Sequence, residues 1–147
     1  MLPRSALCLC SLLLASACGG HPSNSSTTHV ATTSEAPRFY EVHDTAPTGY
    51  FEPSAADVTS FEARLAAHLS SNRNPEAARI ASRLSEYRRQ FVGVQIAGQR
   101  LVFGNFFRSD DPVDQPLAVS DGGNRFFQIY YDATTQSYSR FSINGHA

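Results

Sequence analysis

The 147-residue chain carries twelve arginines, no lysine and thirteen acidic residues, for a net charge of −1. That balance excludes the one-signed basic field that steers proteins onto nucleic acid. All three cysteines, Cys8, Cys10 and Cys18, fall near the start, so no disulfide framework or thiolate metal site is available downstream.

The first predicted element is a leader. Arg4 precedes an apolar run over residues 6–15, the layout of a secretory signal peptide, and the run is too short to span a bilayer. Small side chains at Ala15 and Ala17 suit a peptidase cleft that admits little bulk, and Cys18 follows directly. Leu14, Ala15, Ser16, Ala17 and Cys18 resemble the lipobox of bacterial lipoproteins, with Ala15 where leucine is commonest. The resemblance implies removal of residues 1–17, acylation of Cys18 and attachment of the mature chain to the cell envelope through that lipid. Two or more acyl chains make such an anchor stable, whereas a single one binds a bilayer only marginally. By the same resemblance, Gly19 after the cysteine implies the outer membrane. The alternative is an ordinary secretory cut that releases a soluble, inhibitor-like protein.

Residues 19–37 contain eight Ser or Thr and a single large aliphatic, Val30, too little apolar surface to repay the entropy of ordering. With Cys18 they are predicted to form a flexible tether over residues 18–37, ahead of one domain over residues 38–147. A coil of that length has an r.m.s. span of about 25 Å. Within the domain, Phe39, Tyr40, Glu41 and Val42 suit a short strand or a strap, and residues 43–53 read as irregular chain pinned by Tyr50 and Phe51.

The first strong helical period follows. Ser54 is placed to cap a helix whose Val58, Phe61, Leu65 and Leu69 share one face. Asn74 and Pro75 open a second helix with a stripe of Ala77, Ile80, Leu84 and Tyr87. Arg79, Arg83, Arg88 and Arg89 give this region a basic outer surface, a candidate contact for an envelope protein or for an anionic surface such as lipid head groups. Pairing with Glu76 and Glu86 at i, i+3 spacing is the plainer role for these arginines.

From Phe91 the period changes to two. Residues 91–96 and 101–106 read as a hairpin about Ala97-Gly98, Leu117, Ala118 and Val119 as a short strand, and residues 125–131 and 138–143 as a closing hairpin. The fold class is therefore α+β, with two N-terminal helices packed on one face of a curled antiparallel sheet of about five strands. This element order resembles cystatin-like and nuclear-transport-factor-like rolls. Residues 121–145, with Gly122-Gly123, Phe126-Phe127, Tyr131-Asp132 and Tyr138, resemble the C-termini of bacterial envelope proteins that have no assigned activity. Neither resemblance implies a reaction.

Aromatic pairs Phe106-Phe107, Phe126-Phe127 and Tyr130-Tyr131 must point to opposite sides of their strands. One side forms the core. The other needs a cover, supplied by residues 39–51, by a partner or by a ligand, and Phe107, Tyr130 and Tyr138 are accordingly candidate contact residues.

No catalytic residue, cofactor or metal ligand is assigned. His68 lies beside an apolar stripe without a paired ligand or base, and Asp110, Asp111 and Asp114 read as a solvated acidic loop with no calcium-binding spacing. These observations favour a non-catalytic, lipid-anchored envelope module that binds a partner. The competing expectation is a roll with a small-ligand pocket and hydrolase- or isomerase-like chemistry, which would require His68 or a tyrosine to meet a carboxylate such as Asp132.

Overall fold

The computed structural model describes residues 27–40 and 45–145, so the leader, Cys18 and the first part of the expected tether lie outside the described residues. Strands β3 (Arg88–Ile96) and β4 (Gln99–Phe107) form a long hairpin in register, joined by Ala97 and Gly98. Both turn residues have positive φ, 49° and 80°, the two-residue geometry that matches the twist of paired strands. β5 (Phe126–Asp132) and β6 (Ser137–Ile143) continue the antiparallel meander. Beyond β3 the edge is shared by two short strands. β1 (Thr28–Val30) pairs in parallel with Arg89, Gln90 and Phe91, and β2 (Gly49–Phe51) pairs antiparallel with Gly93, Val94 and Gln95. The result is an open, mixed, six-stranded sheet in an α+β domain.

Period-two alternation sends Phe91, Val102, Phe106, Phe127, Ile129 and Tyr131 to one face, where they meet α2 (Ala55–Ser70) and α3 (Pro75–Ala81) through Phe61, Leu65, Leu69, Ala77 and Ile80. The start of α2 is fixed by reciprocal bonds: Ser54 Oγ accepts from Asp57 N, and Ser54 N donates to the Asp57 carboxylate. Asn74 caps α3, with Pro75 in the first turn.

Val92, Val94, Ile96, Leu101, Phe103 and Tyr130 point to the opposite face and are covered by Ala31, Ala36, Phe39 and Tyr40, with Tyr50 beside them. Phe39 closes α1 (Ala36–Phe39), and the hydroxyls of Tyr40 and Tyr130 are 2.7 Å apart. Each face of the sheet thus has a cover from the same chain.

Several elements differ from the reading of the sequence. The tether expected to reach residue 37 gives way to structure by Thr28, because the edge of β3 offers unpaired backbone groups that Thr28, His29 and Val30 can satisfy whatever their side chains. Residues 49–51, expected to be irregular, form β2 for the same reason. The second helix ends at Ala81 and is followed by a 3-10 turn, Leu84–Glu86, so Leu84 and Tyr87 are not on its stripe, although Tyr87 is buried. Leu117, Ala118 and Val119 are not a strand.

The segment from Val113 to Val119 is instead held over the sheet by side chains. Gln90, Asn105 and Gln128 lie opposite one another on β3, β4 and β5, all buried, with Ser142 of β6 next in line. Gln90 Nε2 donates to the carbonyls of Val113 at 3.0 Å and Gln115 at 2.6 Å, and Asn105 Nδ2 donates to that of Leu117 at 3.0 Å. Asn144 Nδ2 donates to the carbonyl of Val119. Alternate carbonyls of the strap are satisfied by side-chain amides, which makes a backbone ladder unnecessary.

Candidate functional site

The antiparallel register brings three arginines to one end of the sheet. Arg88 opens β3, Arg108 follows the last residue of β4, and Arg125 precedes the first residue of β5; Arg88 pairs with Phe107, and Phe107 with Phe126. Glu86, Arg88, Arg108, Ser109, Asp110 and Arg125 line an open recess of about 560 Å³.

The walls of this recess are held in place by bonds made elsewhere. Arg108 Nη1 donates to Glu86 Oε2 at 3.1 Å and Nη2 to Asn124 Oδ1 at 3.3 Å, and its guanidinium lies 5.3 Å from the centre of the Tyr87 ring. Tyr87 in turn donates its hydroxyl to the Asn124 carbonyl. Arg125 donates through Nη2 to the Arg108 carbonyl at 2.9 Å, and Arg88 Nη1 donates to the Asp111 carbonyl at 3.0 Å. Glu86 bridges Arg83 and Arg108, and the hydrogen bonds from these two guanidinium groups hold its carboxyl below the usual carboxylate range. Two buried polar atoms in the walls, Arg108 Nε and Ser109 Oγ, have no hydrogen-bond partner among the described residues. Such groups are costly to leave unpaired.

Permanently charged guanidinium groups bind and orient anions, and they do not exchange protons near neutral pH. The site is therefore equipped for recognition.

The structure separates the arginines that the sequence groups together. Arg79 pairs with Glu76 at 2.7 Å and Arg83 with Glu86 at 2.8 Å, both on the surface. Arg89 turns to Glu62 and to the carbonyls of Leu84 and Tyr87, so it braces α2 against the start of β3. Only Arg88 of the four lines the recess. Phe107 and Tyr130 are 0 % and 3 % exposed and offer no contact surface, a correction that follows from the internal cover of both sheet faces. Arg108, Ser109 and Arg125 were not singled out from the sequence. They lie far from the basic helical run, and only strand register joins them to Arg88.

A second cleft, of about 420 Å³, runs between α2 and the β5–β6 turn and is lined by Arg64, Ala67, His68, Ser71, Gln136, Ser137 and Tyr138. The rings of His68 and Tyr138 are 4.6 Å apart, and Tyr138 donates its hydroxyl to the Phe61 carbonyl. Burial lowers the His68 pKa and raises that of Tyr138. Among the described residues the lining holds no carboxylate. Asp132 accepts from the backbone N–H groups of Thr134 at 2.8 Å and Thr135 at 3.2 Å, which fixes the turn.

Among the described residues no group of three or more His, Cys, Asp or Glu side chains could hold a metal ion, and no helix is long and apolar enough to cross a membrane. Comparison with protein-family models, with curated proteins and with solved structures gave no match.

Proposed function

We propose that this chain is a non-catalytic, lipid-anchored module of the bacterial cell envelope, held at the outer membrane through Cys18 and carrying a binding domain for an anionic partner. In this reading α2 and α3 over a curled sheet form a rigid scaffold, and the chain ahead of β1 is the tether. The observation that carries the binding assignment is the recess lined by Arg88, Arg108 and Arg125. The aromatic sheet faces, the other surface considered from the sequence, are occupied by α2 and α3 on one side and by Phe39 and Tyr40 on the other. The enzymatic alternative set a carboxylate such as Asp132 beside His68 or a tyrosine, and among the described residues the lining of the His68 and Tyr138 cleft does not bring one there.

Intact-mass measurement on the membrane fraction tests the anchor. The expected mature species begins at Cys18 and carries acyl mass, and Cys18→Ala leaves the chain unacylated. A soluble wild-type species without that mass would replace the anchored module with a secreted one.

A further inference from the structure

We propose that the recess formed by Arg88, Arg108, Ser109 and Arg125 is a binding site for a terminal phosphoryl group. This deepens the anionic-partner reading above and rests on it.

The argument begins with the supply of donors. Three arginines at three successive strand ends line the recess together with Ser109, and Arg88 and Arg125 each spend only part of their guanidinium N–H groups on the carbonyls of Asp111 and Arg108. A carboxylate offers two oxygens in one plane, which a single arginine fork can saturate. A phosphomonoester offers three oxygens in a tetrahedral arrangement and about two negative charges. Donors arriving from several strands, with a hydroxyl beside them, match the second geometry better.

The state of those donors points the same way. Arg108 Nε and Ser109 Oγ are buried without a partner among the described residues, although their neighbours are well bonded: Arg108 Nη1 and Nη2 reach Glu86 and Asn124, and the Arg108 carbonyl accepts from Arg125. Ser109 Oγ is itself buried, and an anion held by Arg88 and Arg125 would relieve part of this cost once the Ser109 side chain rotates its hydroxyl toward the recess.

Charge is consistent with the assignment. The recess holds three arginines against Glu86 and Asp110, and Glu86 is shared with Arg83 outside it. Asp110 is exposed, so it can turn to water when an anion enters.

The shared chemistry is the phosphoryl group, whether on a lipid head group or on a free phosphomonoester. The test uses the full chain and follows the Nε–Hε NMR signals of Arg88, Arg108 and Arg125. It is titrated with inorganic phosphate, with vesicles containing phosphatidic acid, and with succinate, all at constant ionic strength. The expected result is a saturable shift of these three signals with phosphate or with the phosphatidic acid vesicles, and about tenfold or greater weakening in Arg88→Gln, the loss typical of one charge-assisted hydrogen bond. Ser109→Ala, which removes no charge, should weaken phosphate binding as well.

Saturation by phosphate alone assigns a free phosphoryl ligand, and saturation only by vesicles assigns a lipid head group; both support the site. Equal response to succinate would overturn the phosphoryl assignment and leave the anionic-partner reading standing. No saturable shift with any of the three would overturn both. Unchanged phosphate affinity in folded Arg88→Gln and Ser109→Ala would place any binding elsewhere.

Discussion

Asn105 Nδ2 donates to Gln90 Oε1 at 3.0 Å, between two side chains that are directly opposite on β3 and β4 and buried beneath the strap. The same Asn105 amide group donates to Leu117 O at 3.0 Å, and Asn105 Oδ1 accepts from Gln128 Nε2 at 3.4 Å. One side chain therefore links three strands to the strap and stands at the centre of a buried polar row.

Truncating it leaves Gln90 Oε1 without its Asn105 donor and Gln128 Nε2 without its Asn105 acceptor, both buried, and removes the donor to the part-buried Leu117 O. Asn105→Ala should destabilise the domain by about 2–4 kcal/mol, the cost expected for the two buried groups left unpaired. The strap, which buries only Val113 of its side chains, should lose order first. Urea titration gives the global loss and hydrogen exchange the local one. A variant within about 0.5 kcal/mol of wild type, the scatter of ordinary surface substitutions, would show that the row contributes nothing.

The close approach of α2 to β4 depends on the absence of a side chain at residue 104. A Cβ built on Gly104 would lie 2.7 Å from Phe61 Cζ and 2.7 Å from Phe106 Cε2, closer than packed atoms tolerate. Phe61 has no free direction to move in, because its ring is packed against Phe91, Phe106, Tyr131 and Tyr138. Gly104→Ala should cost about 1–3 kcal/mol through overpacking, despite the gain in strand propensity that alanine would bring. Thermal unfolding should register a clear fall in Tm. A rise would mean that α2 is free to lift from the sheet.

His68 supplies a pH dependence with a defined sign. Burial lowers its pKa from the ordinary value of 6.5, so the unfolded chain binds the proton more tightly than the folded one. Its contribution to stability is complete above 6.5 and is lost as pH falls from there through the lower folded value. Denaturation midpoints should therefore decline on acidification through the histidine range, less steeply in His68→Gln. NMR titration of the ring protons should place the folded pKa below 6.5. A value above that would require an anionic neighbour, which the cleft lining lacks.

The elements legible in the sequence are those whose code is local. Ser54 with Asp57 and Asn74 with Pro75 mark two helix starts within four residues of chain. Ala97-Gly98 and the alternation on either side set a hairpin and its register. The lipobox-like residues before Cys18 likewise supply an expectation of address without reference to any fold.

What tertiary structure alone decided has a common physical basis, the meeting of groups distant in the chain. Thr28, His29 and Val30 carry no strand signal strong enough to stand out from a Ser/Thr-rich stretch; the unpaired edge of β3 makes them a strand. Gln90, Asn105 and Gln128 read singly as exposed polar residues, and become a buried row only once the register aligns them. The β3–β4 hairpin register sets Arg88 beside Phe107 and so near Arg108, but Arg125 lies beyond residues 109–124, a loop whose length says nothing about proximity, so a recess lined by all three exists only in the folded sheet. Composition and period determined the kinds of element present. Pairing, which satisfies backbone and side-chain groups across long stretches of chain, decided which surfaces were left to act.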